Sequence, residues 1–192
     1  MSDDHVDSKR RRLLTVATTG MGLAGTVGLL VPFAGNMLPS EKAKAAGAPV
    51  EVDISKIESG QQITVEWRGK PVWIISRSKE ALDFLPSLSD FLADPDSEID
   101  QQPDYARNGY RSIKQELLVL VGICTHLGCS PKYRPELVAD PSGAFLCACH
   151  GSLFDLAGRV YKNVPAPTNL VVPPHKYLSD NVIRIGDDGG AA

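Results

Sequence analysis

The sequence predicts a mainly β protein: an N-terminal transmembrane helix, then an antiparallel multi-sheet domain carrying one helical insertion. Three observations support this class. Lys9-Arg10-Arg11-Arg12 precede Leu13–Leu38, a stretch without a charged residue, longer than the roughly 20 apolar residues that span a bilayer as a helix. Short alternating or continuous apolar runs bounded by turn residues then recur from Val50 to Ile185, the pattern of strands and hairpins. One stretch, Lys79–Leu92, has its apolar residues at helical spacing instead.

Taken in order, the basic cluster keeps the N-terminus cytoplasmic by the positive-inside rule and places the C-terminal domain across the membrane. Ser8–Leu14 also matches a twin-arginine export signal, with Arg10-Arg11 as the pair; an ordinary basic flank is the simpler alternative. Ala43-Lys44-Ala45 has the small-x-small form of a cleavage site. The apolar run exceeds a usual signal core, so a retained single-pass anchor over 13–38 is expected after a cytoplasmic segment 1–12. Gly20–Gly25 fits G-x-G-x-x-G, but a dinucleotide fingerprint needs a preceding strand and a soluble helix. Gly20, Ala24 and Gly28 read better as a small-residue face for helix packing in lipid. Residues 39–49 are polar and alanine-rich and read as a flexible linker in which a helical turn is allowed.

The domain is expected over 50–192. Val50–Ile54 alternates as a strand. Gln61–Trp67 and Pro71–Ile75 form a hairpin around Arg68-Gly69-Lys70. The amphipathic helix 79–92 is interrupted or restarted near Pro86. Asp94–Gly109 is polar and reads as loop. Leu117–Ile123 is a buried strand. Ala144–Leu146 is a strand, followed by a small hairpin of 153–155 with 158–161 and a stiff proline turn at Val164–Pro167. Leu170–Pro173 and Val182–Ile185 are read as closing strands, and residues from Asp187 onward as a frayed tail.

A hydrophobic fraction of 43% permits a packed core. A net charge of −3 with scattered basic residues gives no sign of a nucleic-acid surface. The chemistry is concentrated in two boxes, Cys124-Thr125-His126-Leu127-Gly128-Cys129 and Cys147-Ala148-Cys149-His150-Gly151-Ser152, which hold all four cysteines and two of the four histidines. Cys124-x-His126 and Cys147-x-x-His150 each offer a thiolate and an imidazole from one tight loop. Zinc accepts two Cys and two His as a tetrahedron; a [2Fe–2S] centre of the Rieske kind takes two Cys on one iron and two His on the other. Cys129 and Cys149 remain, one per box, and a zinc site gives no particular reason for this second interleaved pair.

The full two-box pattern resembles that of the Rieske iron–sulfur subunits of ubiquinol–cytochrome c reductase, the respiratory cytochrome bc complex. The likeness extends over the anchor, the linker, Gly158-Arg159, Pro165-Ala166-Pro167 and the strand-rich domain. It implies one Rieske-type [2Fe–2S] cluster in a small inserted cluster-binding subdomain at about 122–168. Cys124 and Cys147 are then implied as ligands of the inner iron, His126 and His150 of the outer, solvent-facing iron. Cys129 and Cys149 are implied as a disulfide. Ser152 is implied to donate a hydrogen bond to a bridging sulfide, and Leu127 to shield the cluster and touch the quinone pocket.

The resemblance further implies a subunit of a dimeric quinol-oxidising complex in a bacterial inner membrane, its C-terminal domain periplasmic. Its partners are cytochrome b and a c-type cytochrome. One electron and a proton come from ubiquinol, hydrogen-bonded to His150, and the electron passes to the c-type haem as the domain swings on its linker, contributing to proton translocation. Two departures from many relatives are visible. Ala148 replaces a proline, and Phe154 replaces a tyrosine whose hydroxyl bonds a ligand sulfur; the latter predicts a lower potential, since hydrogen bonds to cluster sulfurs help to set it. The nearest alternative is the Rieske subunit of a bf-type complex. An exported disulfide or zinc domain without redox function is more remote. An oxygenase also needs a mononuclear iron held by two His and a carboxylate, and beyond the boxes only His5 and His175 remain. His175 is expected to be a surface or packing residue.

Overall fold

The structure, a computed structural model, describes residues 7–134 and 143–187. His5, the first residues of the expected cytoplasmic segment 1–12 and the tail beyond Asp187 lie outside the described residues. The chain divides between Ala45 and Ala46 into two compact units.

In the first unit, α1 spans Ser8–Asn36, 29 residues, about 43 Å at the rise of an α-helix. Asp7 caps it, its carboxylate accepting the Lys9 and Arg10 N–H groups at 3.0 and 3.3 Å. The helix takes in the basic cluster as well as the apolar run, and no residue of it is buried. It is long and apolar enough to cross a membrane. A short helix follows in the expected linker, α2 at Glu41–Ala46, with the Ser40 hydroxyl accepting the Ala43 N–H.

The second unit holds three three-stranded antiparallel sheets. The first joins β1 (Val50–Asp53), β9 (Val182–Ile185) and β8 (His175–Ser179) in that order. The second joins β2 (Gln62–Trp67), β3 (Lys70–Ser76) and β4 (Leu117–Val121). Arg68 and Gly69, both at positive φ, make the two-residue turn between β2 and β3, whose twist suits a hairpin. The third joins β5 (Lys132–Arg134), β6 (Ala144–Cys147) and β7 (Ser152–Phe154).

The second sheet is the middle layer. Val72, Ile74, Val119 and Val121 point to one face and pack with Val52, Ile54, Ile183 and Ile185 of the first sheet. Trp73, Ile75, Leu118 and Leu120 point to the other face, where they meet the helical insertion and the third sheet. Burial on both faces explains why β3 and β4 read as continuous apolar runs rather than alternating ones. The insertion is α3 (Lys79–Phe84), capped by Ser78, running into a 3-10 helix at Leu85–Phe91 with Pro86 in its first turn.

Several expectations are corrected. Leu170–Pro173 is not a strand: its backbone N–H groups bond Gly158 and Gln101 separately, and Pro173 and Pro174 end the run. The closing partner of β9 is β8, starting at His175. Gly158–Tyr161 contributes only isolated bridges, Phe154 with Val160 and Leu92 with Tyr161. The 94–109 stretch is loop as expected apart from a 3-10 turn at Asp104–Ala106, and it buries Asp94, Ser97, Gln102 and Ala106.

Candidate metal centre

The two boxes are built alike. The first leaves β4 and the second leaves β6, so each begins on a buried strand end; Cys124 and Cys147 are both 2% exposed. In each, a glycine N–H returns to the first cysteine's carbonyl, Gly128 to Cys124 at 3.1 Å and Gly151 to Cys147 at 2.9 Å. These glycines have φ of +86° and +80°, a region a side chain would make costly. The Cys124 N–H closes the first box on the Cys129 carbonyl at 2.7 Å.

The structure brings Cys124 together with Cys147 and Ser152, His126 with His150, and Cys129 with Cys149. Cys124 and Cys147 are within reach of each other's side chains, and the Ser152 hydroxyl reaches the Cys124 sulfur. Burial pushes the Cys124 thiol up; the His126 N–H opposes this, the adjoining Cys147 thiol adds to it, and the Ser152 hydroxyl also opposes it. The His126 and His150 rings meet edge-on with centroids 4.8 Å apart. They lie on the outer side, His126 half-buried and His150 exposed. Cys129 and Cys149 are joined as a disulfide, and the sulfurs of Cys129, Cys147 and Cys149 lie within 4.8 Å of one another. Leu127 is 71% exposed at the tip.

A third loop, the proline turn within the expected cluster-binding part, holds the two boxes. The Ala166 N–H donates to the Ser152 hydroxyl at 3.0 Å, and the Thr125 hydroxyl donates to the Thr168 carbonyl at 2.7 Å. With its oxygen accepting from Ala166, the Ser152 proton is left to point at sulfur. The signal for this was present in the proline turn, which pins a backbone N–H beside a buried serine. Trp73 of β3 stacks on Phe145 of β6 at 5.0 Å, tying the second sheet to the third. His175 lies apart from the centre, buried, with Nδ1 2.8 Å from the Pro173 carbonyl: it is a packing residue.

Two adjoining buried thiols with a backbone N–H and a serine hydroxyl at sulfur, and one half-buried and one exposed imidazole from the same two loops, suit a [2Fe–2S] group that takes thiolates on one iron and neutral nitrogens on the other. Comparison with known proteins agrees. A family profile described as "Rieske [2Fe-2S] domain" matches residues 101–174, and one described as "Ubiquitinol-cytochrome C reductase Fe-S subunit TAT signal" matches residues 1–40. The ubiquinol-cytochrome c reductase iron-sulfur subunit of Allochromatium vinosum is 58% identical, over 100% of this chain and 95% of its own. That of Blastochloris viridis is 42% identical, over 96% and 97%. A solved chain from a hyperthermophilic respiratory Complex III is 30% identical, covering 88% of this chain and 98% of that one, with a TM-score of 0.49.

Proposed function

The chain belongs to the Rieske iron–sulfur subunits of ubiquinol–cytochrome c reductase, and from that premise we propose how its residues serve the complex. It is a subunit of the cytochrome bc1 complex, an oxidoreductase, and carries a Rieske-type [2Fe–2S] cluster. Cys124 and Cys147 would hold one iron of the cluster and His126 and His150 the other. When bound, the cluster supplies a one-electron acceptor at roughly −150 to +300 mV, high enough for a quinol to reduce.

The surrounding residues do the rest. His150, exposed at the tip, accepts a hydrogen bond from ubiquinol in a pocket shared with cytochrome b, and an imidazole takes up the proton that follows the electron. His126 beside it completes the polar contact. Leu127 presents apolar surface to the quinone pocket and keeps water from the irons. Cys129–Cys149 locks the boxes together, and Ser152 directs its proton at sulfur. The electron then passes to a c-type cytochrome, contributing to proton translocation in a dimeric complex.

Residues 13–38 anchor the chain in the bacterial inner membrane, with 1–12 cytoplasmic and 50–192 periplasmic, and the linker 39–49 lets the domain travel between partners. The short helix α2 at Glu41–Ala46 occupies the middle of that linker.

The observation that carries the reading is the pair of outward imidazoles over two buried thiols. Protein-film voltammetry across pH tests it. The midpoint potential falls with rising pH if a proton accompanies the electron; a flat profile contradicts the coupling.

A further inference from the structure

Three guanidinium groups are buried together around the turn that follows β7. Arg77 follows β3, Arg111 lies in the segment before β4, and Arg159 lies just beyond β7; each is at most 3% exposed. All three grip one turn. Arg159 donates from Nε to the Asp155 carboxylate at 2.7 Å, and that carboxylate also accepts the Ala157 and Arg159 N–H groups. The next three carbonyls are taken in sequence. Arg77 donates to Leu156 at 3.1 Å, and Arg111 donates to Ala157 and Gly158 at 3.3 Å each. Arg111 adopts a left-handed backbone, φ +52°, at this position.

Among the described residues, only Asp155 and Asp94 are buried carboxylates facing these three cations. Asp94 is engaged with the Glu98 and Ile99 N–H groups. Among buried groups three cations face two carboxylates, and the exposed Glu116 also acts on Arg77. Burial lowers Arg77 and Arg111 to about 10, with Asp155 opposing the fall, so both stay charged at neutral pH. Burying unpaired charge is expensive, and neither residue touches the ligands. Their effect travels through β7: the gripped turn continues straight from that strand, whose first residue is Ser152. Asp155 is about 10 Å from Ser152 along an extended chain, with protein rather than salt water between, where charge is poorly screened.

We propose that Arg77 and Arg111 are positioning residues for electron transfer: they fix the 155–158 turn, and through β7 the Ser152 hydroxyl, and their surplus buried charge raises the reduction potential of the centre. One electron enters the centre and the accompanying proton passes from the quinol to an imidazole; Arg77 and Arg111 themselves make and break no bond, and the added negative charge is what they stabilise. The inference rests on the reading of Cys124, His126, Cys147 and His150 as the ligand set.

The test uses the full-length, cluster-loaded protein in detergent, with electron paramagnetic resonance for the ligand set and film voltammetry at low and high salt for the potential. Arg111→Met is expected to lower the midpoint potential while keeping the resonance line shape, by the same amount at both salt levels. Arg111→Lys is expected to restore most of the loss. An unmoved potential in Arg111→Met, or an equal fall in Arg111→Lys, overturns the inference. Should Arg111→Met not accumulate, Ser112→Asp decides: the Ser112 hydroxyl is 2.7 Å from Arg77 Nη2, so a carboxylate there offsets charge with every guanidinium kept. A lower potential in that variant supports the inference and an unchanged one overturns it. Absence of a mixed Cys/His signal in the unaltered protein overturns the ligand reading and the inference with it; an intact signal with unmoved potentials in the variants overturns the inference alone.

Discussion

The His126 and His150 rings stand edge to face, 4.8 Å between centroids, although one comes from the loop after β4 and the other from the loop after β6. Nothing in either loop alone brings them there. The Cys129–Cys149 bridge and the proline turn behind Ser152 and Thr125 hold the two loops face to face.

The bridge should therefore matter more for keeping the centre assembled than for the rest of the fold. It closes a loop with a sequence separation of 20, for which chain entropy gives about 3 kcal/mol. Cys129→Ser with Cys149→Ser is expected to lower the Tm for cluster loss by roughly 6–12 °C, read from the visible absorbance. Retention of the wild-type Tm would show that the proline turn suffices.

Ser152 has two duties, and its loss should register twice. Ser152→Ala leaves the Ala166 N–H without its acceptor in a buried site, a cost of about 1–3 kcal/mol. It also removes the proton aimed at the Cys124 sulfur, so the midpoint potential should fall. Denaturant melts and voltammetry on the same preparation separate the two effects.

Phe154 is fully buried, opposite Phe145 in the β6–β7 register. Phe154→Tyr is expected to raise the potential by adding a hydroxyl donor near the ligand sulfurs. A fall, or no change, in voltammetry contradicts the idea that this residue tunes the centre downward.

His175 gives the domain a pH dependence of its own. Burial lowers its pKa below the ordinary 6.5, with the Pro173 carbonyl opposing. The unfolded chain then binds a proton near pH 6.5 that the folded chain refuses, so stability is lost as pH falls below that value. His175→Leu is expected to flatten the change in urea midpoint between about pH 7.5 and about pH 5.5; an unaltered slope would place the acid sensitivity elsewhere.

The centre was legible in the sequence because its ligands are local: a Cys and a His two or three residues apart report a metal loop wherever the loop goes. The middle sheet was legible because β3 and β4 are apolar on both faces. What escaped was set by distant partners. Leu170–Pro173 has the composition of a strand, yet its N–H groups go to two different segments, while β8 begins only after Pro174 and carries no strand signal of its own. Asp94–Gly109 reads as loop because it is polar, yet it buries Asp94, Ser97, Gln102 and Ala106, and nothing local marks Arg77 and Arg111 as buried. The hydrogen bonds of Arg77, Arg111 and Arg159 run to carbonyls 33–79 residues away, which no local pattern encodes.

The most direct test of the account is the midpoint potential of the full-length protein at neutral pH. Two thiolates and two neutral imidazoles predict a single one-electron wave between roughly −150 and +300 mV. A wave near about −400 mV, as in all-cysteine plant-type ferredoxins, or no wave from a colourless protein, would contradict it.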